Sequence, residues 1–287
     1  MLLPLFGKHR ATQTLPTVCR AWLQQDVPCE VVVAIAAGTE ISPLGDLVAD
    51  QRIRIVTADR DSISPGPLRN LAASAARAPV LYLSDADVAP LASDYAKQAL
   101  TLIKDRAMIQ PWMYRLISPA QVSAEPPFDL AVSGRACHVS VDADGRLVPL
   151  SGERFIWLTK TVLATVPPPG IGWLNEDGKP WYPFPFHWGG IMVRRESFDA
   201  VGGYSTRYVG WGSEDDDLIA KLEGTIGTIR AWRAAPRRLA CLHFEHPRSH
   251  TFAYARANDV ILTERLATGV DAMIEEDRQQ VTDCVTS

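Results

Sequence analysis

The run "CEVVVAIAAG", residues 29–38, constrains the fold more than any other stretch. From Val31 to Ile35 it is β-branched apart from one alanine, with no polar alternation, and Gly38 ends it. A strand of that kind is buried on both faces, so helices must cover it above and below. "PVLYLSDADVAP", residues 79–90, reads as another such strand, ending in acids. Around these two, residues 2–6 and "RIRIVTA" read as short strands. Residues 11–25 carry Leu15, Val18, Cys19, Trp22 and Leu23 at helical spacing. "PGPLRNLAASAARA" is an Ala-rich helix opening at Pro65, Gly66 and Pro67. Strand, helix, strand, strand, helix, strand predicts an α/β fold: a mixed, mostly parallel sheet flanked by helices.

The middle of the chain breaks this rhythm. Residues 110–190 hold Trp112, Trp157, Trp173, Trp181 and Trp188, together with Pro167 to Pro169 and the run "PWYPFPFHWGG". That density of proline and aromatics opposes regular helix, and predicts a short antiparallel section with long loops that wall a pocket. Regular patterning returns with strand "IMVRR", helix "ESFDAV", a "GGY" turn, an acidic helix start, strand "RRLACLHFEH" and helix 251–270. Residues 276–287 read as a polar, loose tail.

Composition removes several classes. With 287 residues, 47% of them apolar, the chain is long enough to bury a real core. A net charge of −4 gives no electrostatic case for nucleic acid or an anionic membrane. The five cysteines form no CxxC, which argues against a disulfide framework or zinc site and for a reducing compartment. The apolar start of "MLLPLFGKHR" is too short for a leader, and no apolar run reaches membrane-spanning length. The expectation is a cytoplasmic protein without a transmembrane segment.

Four constellations carry chemistry. Asp85 and Asp87 stand at the carboxyl end of a strand, where open α/β sheets bind ligands. Two carboxylates at that spacing suit a shared Mg²⁺ or Mn²⁺, or else a turn with a capping Asp. In "VGWGSEDDDLIAKL", Ser213 is a candidate N-cap and Glu214 to Asp217 fill the first helical turn. The helix N-terminus rationalises one or two acids there, but four repel one another. One of them, held beside a hydroxyl, would serve as a general base. "CLHFEHPRSH" offers His243, His246 and His250, either as polar residues at a strand end or as a neutral imidazole ligand completing the metal set. Arg69 and Asn70, in the first turn of a helix, suit a phosphate, or simply a surface arginine and a cap; Lys8 and Arg10 carry the same ambiguity.

Together these motifs resemble the family 2 nucleotide-sugar glycosyltransferases of the GT-A (Rossmann-like) fold. "PLFGKHR" is similar to their opening strand and loop, and "PGPLRNLAASAARAPVLYLSDADV" to their Arg-Asn helix and Asp-x-Asp strand. "FHWGGIMVRRESFDAVGGYSTRYVGWGSEDDDL" resembles the galactosyltransferase C-terminal motif, which ends Trp-Gly-x-Glu-Asp-x-Asp-Leu. The resemblance covers residues 2–90 and 186–256. It implies one domain over 1–275: a nucleotide-sugar-binding half (1–100), then an acceptor-binding and catalytic half (101–255) with a loop-rich acceptor section. It implies Mn²⁺ or Mg²⁺ on Asp85, Asp87 and His246 or His243, with His246 preferred. It assigns the base to Asp215, with Glu214 beside it gripping the acceptor. Pro4, Phe6, Lys8, Arg10, Arg69, Asn70, Asp85, Ala86, Gly189 and Gly190 would line the donor. Trp188, Trp211, Gly212 and Glu214 would line the acceptor, while Asp216 and Asp217 hold the helix.

The chain departs from the family after its second strand. Ala36 and Ala37 stand where an acidic Val-Asp-Asp-Gly-Ser pattern usually touches the nucleobase, so Asp59 or Asp61 would supply those contacts. The expected reaction is inverting transfer of a sugar from a nucleoside-diphosphate sugar, with UDP as the expected nucleotide, to a hydroxyl acceptor. The alternatives are a nucleotidyltransferase, for which "PLFGKHR" is a poor phosphate loop, and a non-catalytic nucleotide-sugar-binding protein.

Overall fold

Four parallel strands form the scaffold of the computed structural model, which describes residues 1–6, 11–59, 64–90, 93–106, 108–117, 138–141, 147–150, 162–164, 189–226, 239–244 and 252–286. These strands are β1 (Leu2–Leu5), β2 (Val31–Ile35), β3 (Ile53–Thr57) and β4 (Val80–Leu83). β2 lies between β1 and β3, and β1 also pairs with β4, all in parallel. Parallel neighbours need a crossover. Helix α1 (Ala11–Leu23) runs from β1 to β2, and α2 (Pro65–Ala75) from β3 to β4.

Further along the chain come β5 (Val88–Pro90), α3 (Tyr95–Leu102), β6 (Met108–Ile109), β7 (Trp112–Ile117), β8 (His138–Val141), β9 (Leu147–Leu150) and β10 (Val162–Ala164). They are followed by β11 (Ile191–Arg194), α4 (Arg195–Ala200), α5 (Glu214–Ile226), β12 (Ala240–Phe244), α6 (Phe252–Thr268) and α7 (Val270–Thr286). β11 and β6 extend the first sheet in antiparallel sense, giving the order β3-β2-β1-β4-β11-β6. A second sheet has the order β10-β7-β12-β5, and β8 pairs with β9. Within residues 110–190 the described strand pairs, β7 with β10 and β8 with β9, are antiparallel as expected.

Strand alternation divides the interior into two cores. Leu3, Leu5, Val31, Val33, Ile35, Tyr82 and Met192 face one side, where Leu15, Val18, Cys19 and Trp22 of α1 pack with Tyr95 of α3. Leu2, Val32, Ala34, Leu81, Leu83, Ile191 and Val193 face the other, against Leu68 and Ala72 of α2, Phe198 of α4 and Leu218 and Leu222 of α5. The period-2 pattern of the strands thus meets helical stripes on both faces, giving three layers.

Two expectations are corrected. Residues 79–90 are not one strand: β4 belongs to the first sheet and β5 to the second, with Ser84–Asp87 between them. Nor is the chain a loose tail from residue 276, because α7 continues to Thr286 and buries Asp277 along with Met273 and Ile274. Its anchor is a buried set of charges. The Asp277 carboxylate takes Lys221 of α5 and, at 2.7 Å, Arg265 of α6. Arg265 also reaches Asp217 at 2.6 Å, and Tyr208 donates to Asp217 at 2.9 Å. Two cations and two anions at 0–1% exposure are tolerable only when paired and hydrogen-bonded in this way.

Candidate active site

The carboxyl end of β4 delivers Asp85, and the start of β11 beside it delivers Gly189 and Gly190. From the second core, α2 and α5 aim their first turns at the same place. Pro65 at the first helical position fixes the start of α2. Arg69 follows on its buried face, and although only 1% exposed it is surrounded by acids. Its Nη2 lies 2.5 Å from Asp85 Oδ1, and its Nη1 lies 3.1 Å from Asp215 Oδ1 and 3.8 Å from Glu214 Oε1. Burial works against the guanidinium charge, but Tyr204, Asp215, Asp85 and Glu214 outweigh it and hold the group above its ordinary pKa. Arg69 therefore joins the Asp-x-Asp turn to the acidic helix as a permanent cation, buried rather than on the surface.

Tyr204, which the sequence pattern assigns only to a turn, completes the cluster. Its hydroxyl donates to Asp215 Oδ1 at 2.9 Å, and its ring lies under Arg69, with 5.2 Å from Cζ to the ring centroid. Burial raises its hydroxyl pKa well above the usual value, so it stays a donor. Asn70 brackets this residue: its Oδ1 accepts from Tyr204 N–H and its Nδ2 donates to Tyr204 C=O, both at 2.8 Å. Gly203 makes the bracket possible. It sits at φ +65°, and a Cβ there would come within 2.6 Å of Asn70 Oδ1.

The acidic helix start divides its labour. Glu214 is 4% exposed and turns back to accept from Gly212 N–H at 2.9 Å, pinning the Trp-Gly turn at Gly212 φ +112°. Burial, then the neighbouring Asp215 charge, push its carboxyl up to about 8, against a partial offset from Arg69. Asp215 is more open, at 15% side-chain exposure. Asp217 faces inward to the charge cluster on α6 and α7. Ser213 accepts from Asp217 N–H through its carbonyl, as an N-cap residue does, but its hydroxyl donates to Asp259 at 2.6 Å and its φ is +67°. Trp211 is half-buried, and its carbonyl accepts from Asn258.

Gly189 faces the cluster directly. A Cβ there would meet Arg69 Nη2 at 2.8 Å, Asp215 Oδ2 at 3.1 Å and Asp85 Oδ1 at 3.5 Å. Gly190 is buried at the head of β11, and Ala86 is buried in the first core. Pro4 pairs with Ala34 within the sheet, and Phe6 packs partly buried against the second core. Asp59 is exposed just past β3. Lys8, Arg10, Asp61, Trp188, His246 and His250 lie outside the described residues.

The pairing of β12 with β5 sets His243 opposite Val88, next to Asp87. Both side chains are buried, with His243 Nε2 3.8 Å from Asp87 Oδ1. Among the described residues no three His, Cys, Asp or Glu side chains gather as a metal site; Asp87 and His243, a carboxylate and an imidazole side by side, are the donor types that a Mn²⁺- or Mg²⁺-type ion accepts.

Three-layer packing, acids at the carboxyl end of β4 and an acidic helix facing them define a GT-A fold, the architecture of nucleotide-sugar glycosyltransferases. Residues 175–247 match the family described as the N-terminal domain of galactosyltransferase, a segment that includes Gly189, Tyr204, Trp211, Glu214, Asp215 and His243. The structure is similar to GalNAc-T7 solved with UDP, GalNAc and Mn²⁺, at TM-score 0.51 and 15% identity over 92% of this chain and 47% of that one. It also matches the mannosyltransferase PcManGT of Pyrobaculum calidifontis in complex with GDP-Man and Mn²⁺ (TM-score 0.47, 15% identity, 90% of this chain and 59% of that). A third match is S. aureus TarS 1–349 (TM-score 0.44, 13% identity, 86% and 59%). The chain spans roughly half to three-fifths of the length of these structures. A search of the curated proteins found no match.

Proposed function

We propose that this protein is an inverting, metal-dependent glycosyltransferase that moves a sugar from a nucleoside-diphosphate sugar, with UDP as the nucleotide, to a hydroxyl acceptor. The observation that carries the reading is the convergence of Asp85, Arg69, Asp215 and Gly189 at the carboxyl end of β4. Asp215 is the general base. Its Oδ1 is held by Arg69 and Tyr204, while Oδ2 is directed toward Gly189. Glu214 is a poor candidate, because a carboxyl that titrates near 8 is largely protonated at neutral pH. It orients the Gly212 turn under the acceptor.

In the reaction, Asp215 takes the acceptor hydroxyl proton. The oxygen bonds the anomeric carbon from the face opposite the diphosphate. The bond to the diphosphate breaks, and the nucleoside diphosphate leaves with the electron pair. Asp85, Asp87 and His243, with His246 as the further ligand, would hold the divalent ion, which when bound neutralises charge on the diphosphate.

Incubation with Mn²⁺ and a panel of nucleotide sugars and glycan acceptors tests this. The expected result is nucleoside diphosphate release that Asp215→Asn abolishes. Release from none of the donors, or equal release by the variant, overturns the reading. Pyrophosphate release from a nucleoside triphosphate would put a nucleotidyltransferase in its place.

A further inference from the structure

The matched segment ends at residue 247, yet the charge cluster behind the site draws on α6 and α7, beyond it. Lys221 lies two turns along the helix that starts at Glu214. It is fully buried, and its ammonium has three partners. It pairs with the Asp277 carboxylate, stands 3.5 Å from Asp217 Oδ1 and donates to the carbonyl of Gly203 at 2.7 Å. Gly203 immediately precedes Tyr204, the residue that Asn70 brackets and whose hydroxyl holds Asp215. A left-handed glycine has no side chain with which to fix its peptide plane. The Gly203 N–H is held by the Phe198 carbonyl, and Lys221 supplies the hold on the Gly203 carbonyl.

We propose that Lys221, itself fixed by Asp277 of α7, is a positioning residue that sets the Tyr204 hydroxyl on Asp215 by clamping the Gly203 carbonyl. The proposal rests on the base reading of Asp215. The same helix, α5, carries both ends of the device, since Asp215 lies in its first turn and Lys221 behind it. A point charge with three donors suits the clamp, with one donor for the carbonyl and the others for carboxylates. Asp277, 1% exposed, acts through Lys221 and Arg265, the two cations that its carboxylate holds.

The test uses the full chain with Lys221→Met, Asp277→Asn and Tyr204→Phe. Tyrosine is labelled with ¹³C at Cζ, and Tyr204→Phe identifies the Tyr204 signal by its loss. Far-UV circular dichroism at a temperature below each variant's melting point first establishes that it is folded. The expected result is that Lys221→Met and Asp277→Asn both displace the Tyr204 signal and leave those of Tyr82 and Tyr95, in the other core, in place. In steady state, kcat for transfer should fall roughly ten- to hundredfold with the donor KM nearly unchanged, as displacement of a positioned group predicts. An unmoved Tyr204 signal in Lys221→Met, or an unchanged kcat in a folded Lys221→Met, overturns the proposal. An inert wild type would instead defeat the transferase reading, and the ¹³C signal would still decide whether Lys221 sets Tyr204.

Discussion

Arg69 and Asp215, 146 positions apart in the sequence, meet at 3.1 Å. The same guanidinium reaches Asp85 at 2.5 Å, so one buried cation spans the two halves of the site. Remove it, and the Asp85 and Asp215 carboxylates, with the Glu214 carboxyl beside them, lose the cation that they share.

Arg69→Met should therefore be costly. Breaking a buried ion pair by deleting one partner costs about 3–5 kcal/mol. A urea melt should register a loss of that order, with transfer abolished as well. Arg69→Lys keeps the charge but loses the fork that serves Asp85 and Asp215 separately, so it should recover part of the stability and little of the activity. A wild-type midpoint for Arg69→Met would show that the cluster is solvated rather than buried.

Gly189→Ala places a methyl within 2.8 Å of Arg69 Nη2 and 3.1 Å of Asp215 Oδ2. Both neighbours are side-chain ends that can yield, so the fold should survive. The base should be displaced, however, and kcat should fall roughly tenfold or more. Thermal melts and initial rates on the same preparation separate the two effects.

Glu214 makes stability depend on pH. Its carboxyl rises from 4.5 to about 8 on folding, chiefly through burial. The folded state thus binds the extra proton between those values. Its stabilising contribution is fully present below the unfolded value and is lost as pH rises through about 8. Glu214→Gln mimics the protonated form and removes the dependence. Melting temperatures of the two proteins should lie closest near pH 4.5 and diverge as the pH rises towards about 8, the wild type becoming the lower, with a constant gap above that value. Parallel melting curves across that range would contradict the buried, protonated Glu214.

Asp87→Asn and His243→Ala should each weaken Mn²⁺ binding by roughly tenfold or more, the scale on which even supporting groups matter. Electron paramagnetic resonance of free Mn²⁺ reads this without any substrate. Chelation should abolish transfer by the wild type, and added Mn²⁺ should restore it. Unaltered Mn²⁺ affinity in both variants would remove these two residues from the metal set.

The parallel strands were legible because a β-branched run such as Val31–Ile35 has few other ways to be buried. Asp85, Glu214 and Asp215 were legible because charges placed at the ends of such elements call for a reason. Other features were hidden by ambiguity in the residues themselves. An apolar run interrupted by Ser84–Asp87 looks the same whether the next strand joins the same sheet or another. Tyr204 follows two glycines and reads as part of a turn; its bracket, Asn70, lies 134 positions away in the sequence. Asp277 and Arg265 stand among charged neighbours, and a helix as polar as α7 gives no sign of which charges it buries. The partner of each lies on another helix, and sequence spacing cannot express that relation.

The change of sheet at Ser84–Asp87 also has a mechanical side. Asp85 closes a strand of the six-stranded sheet, while Asp87 opens onto β5 of the four-stranded sheet, where His243 stands on the adjoining strand. One short turn thus carries a carboxylate to each sheet. A slip of β5 along β12 would carry Asp87 away from His243 while leaving Asp85 on Arg69, so the strand pairing of the second sheet is also an alignment gauge for the turn.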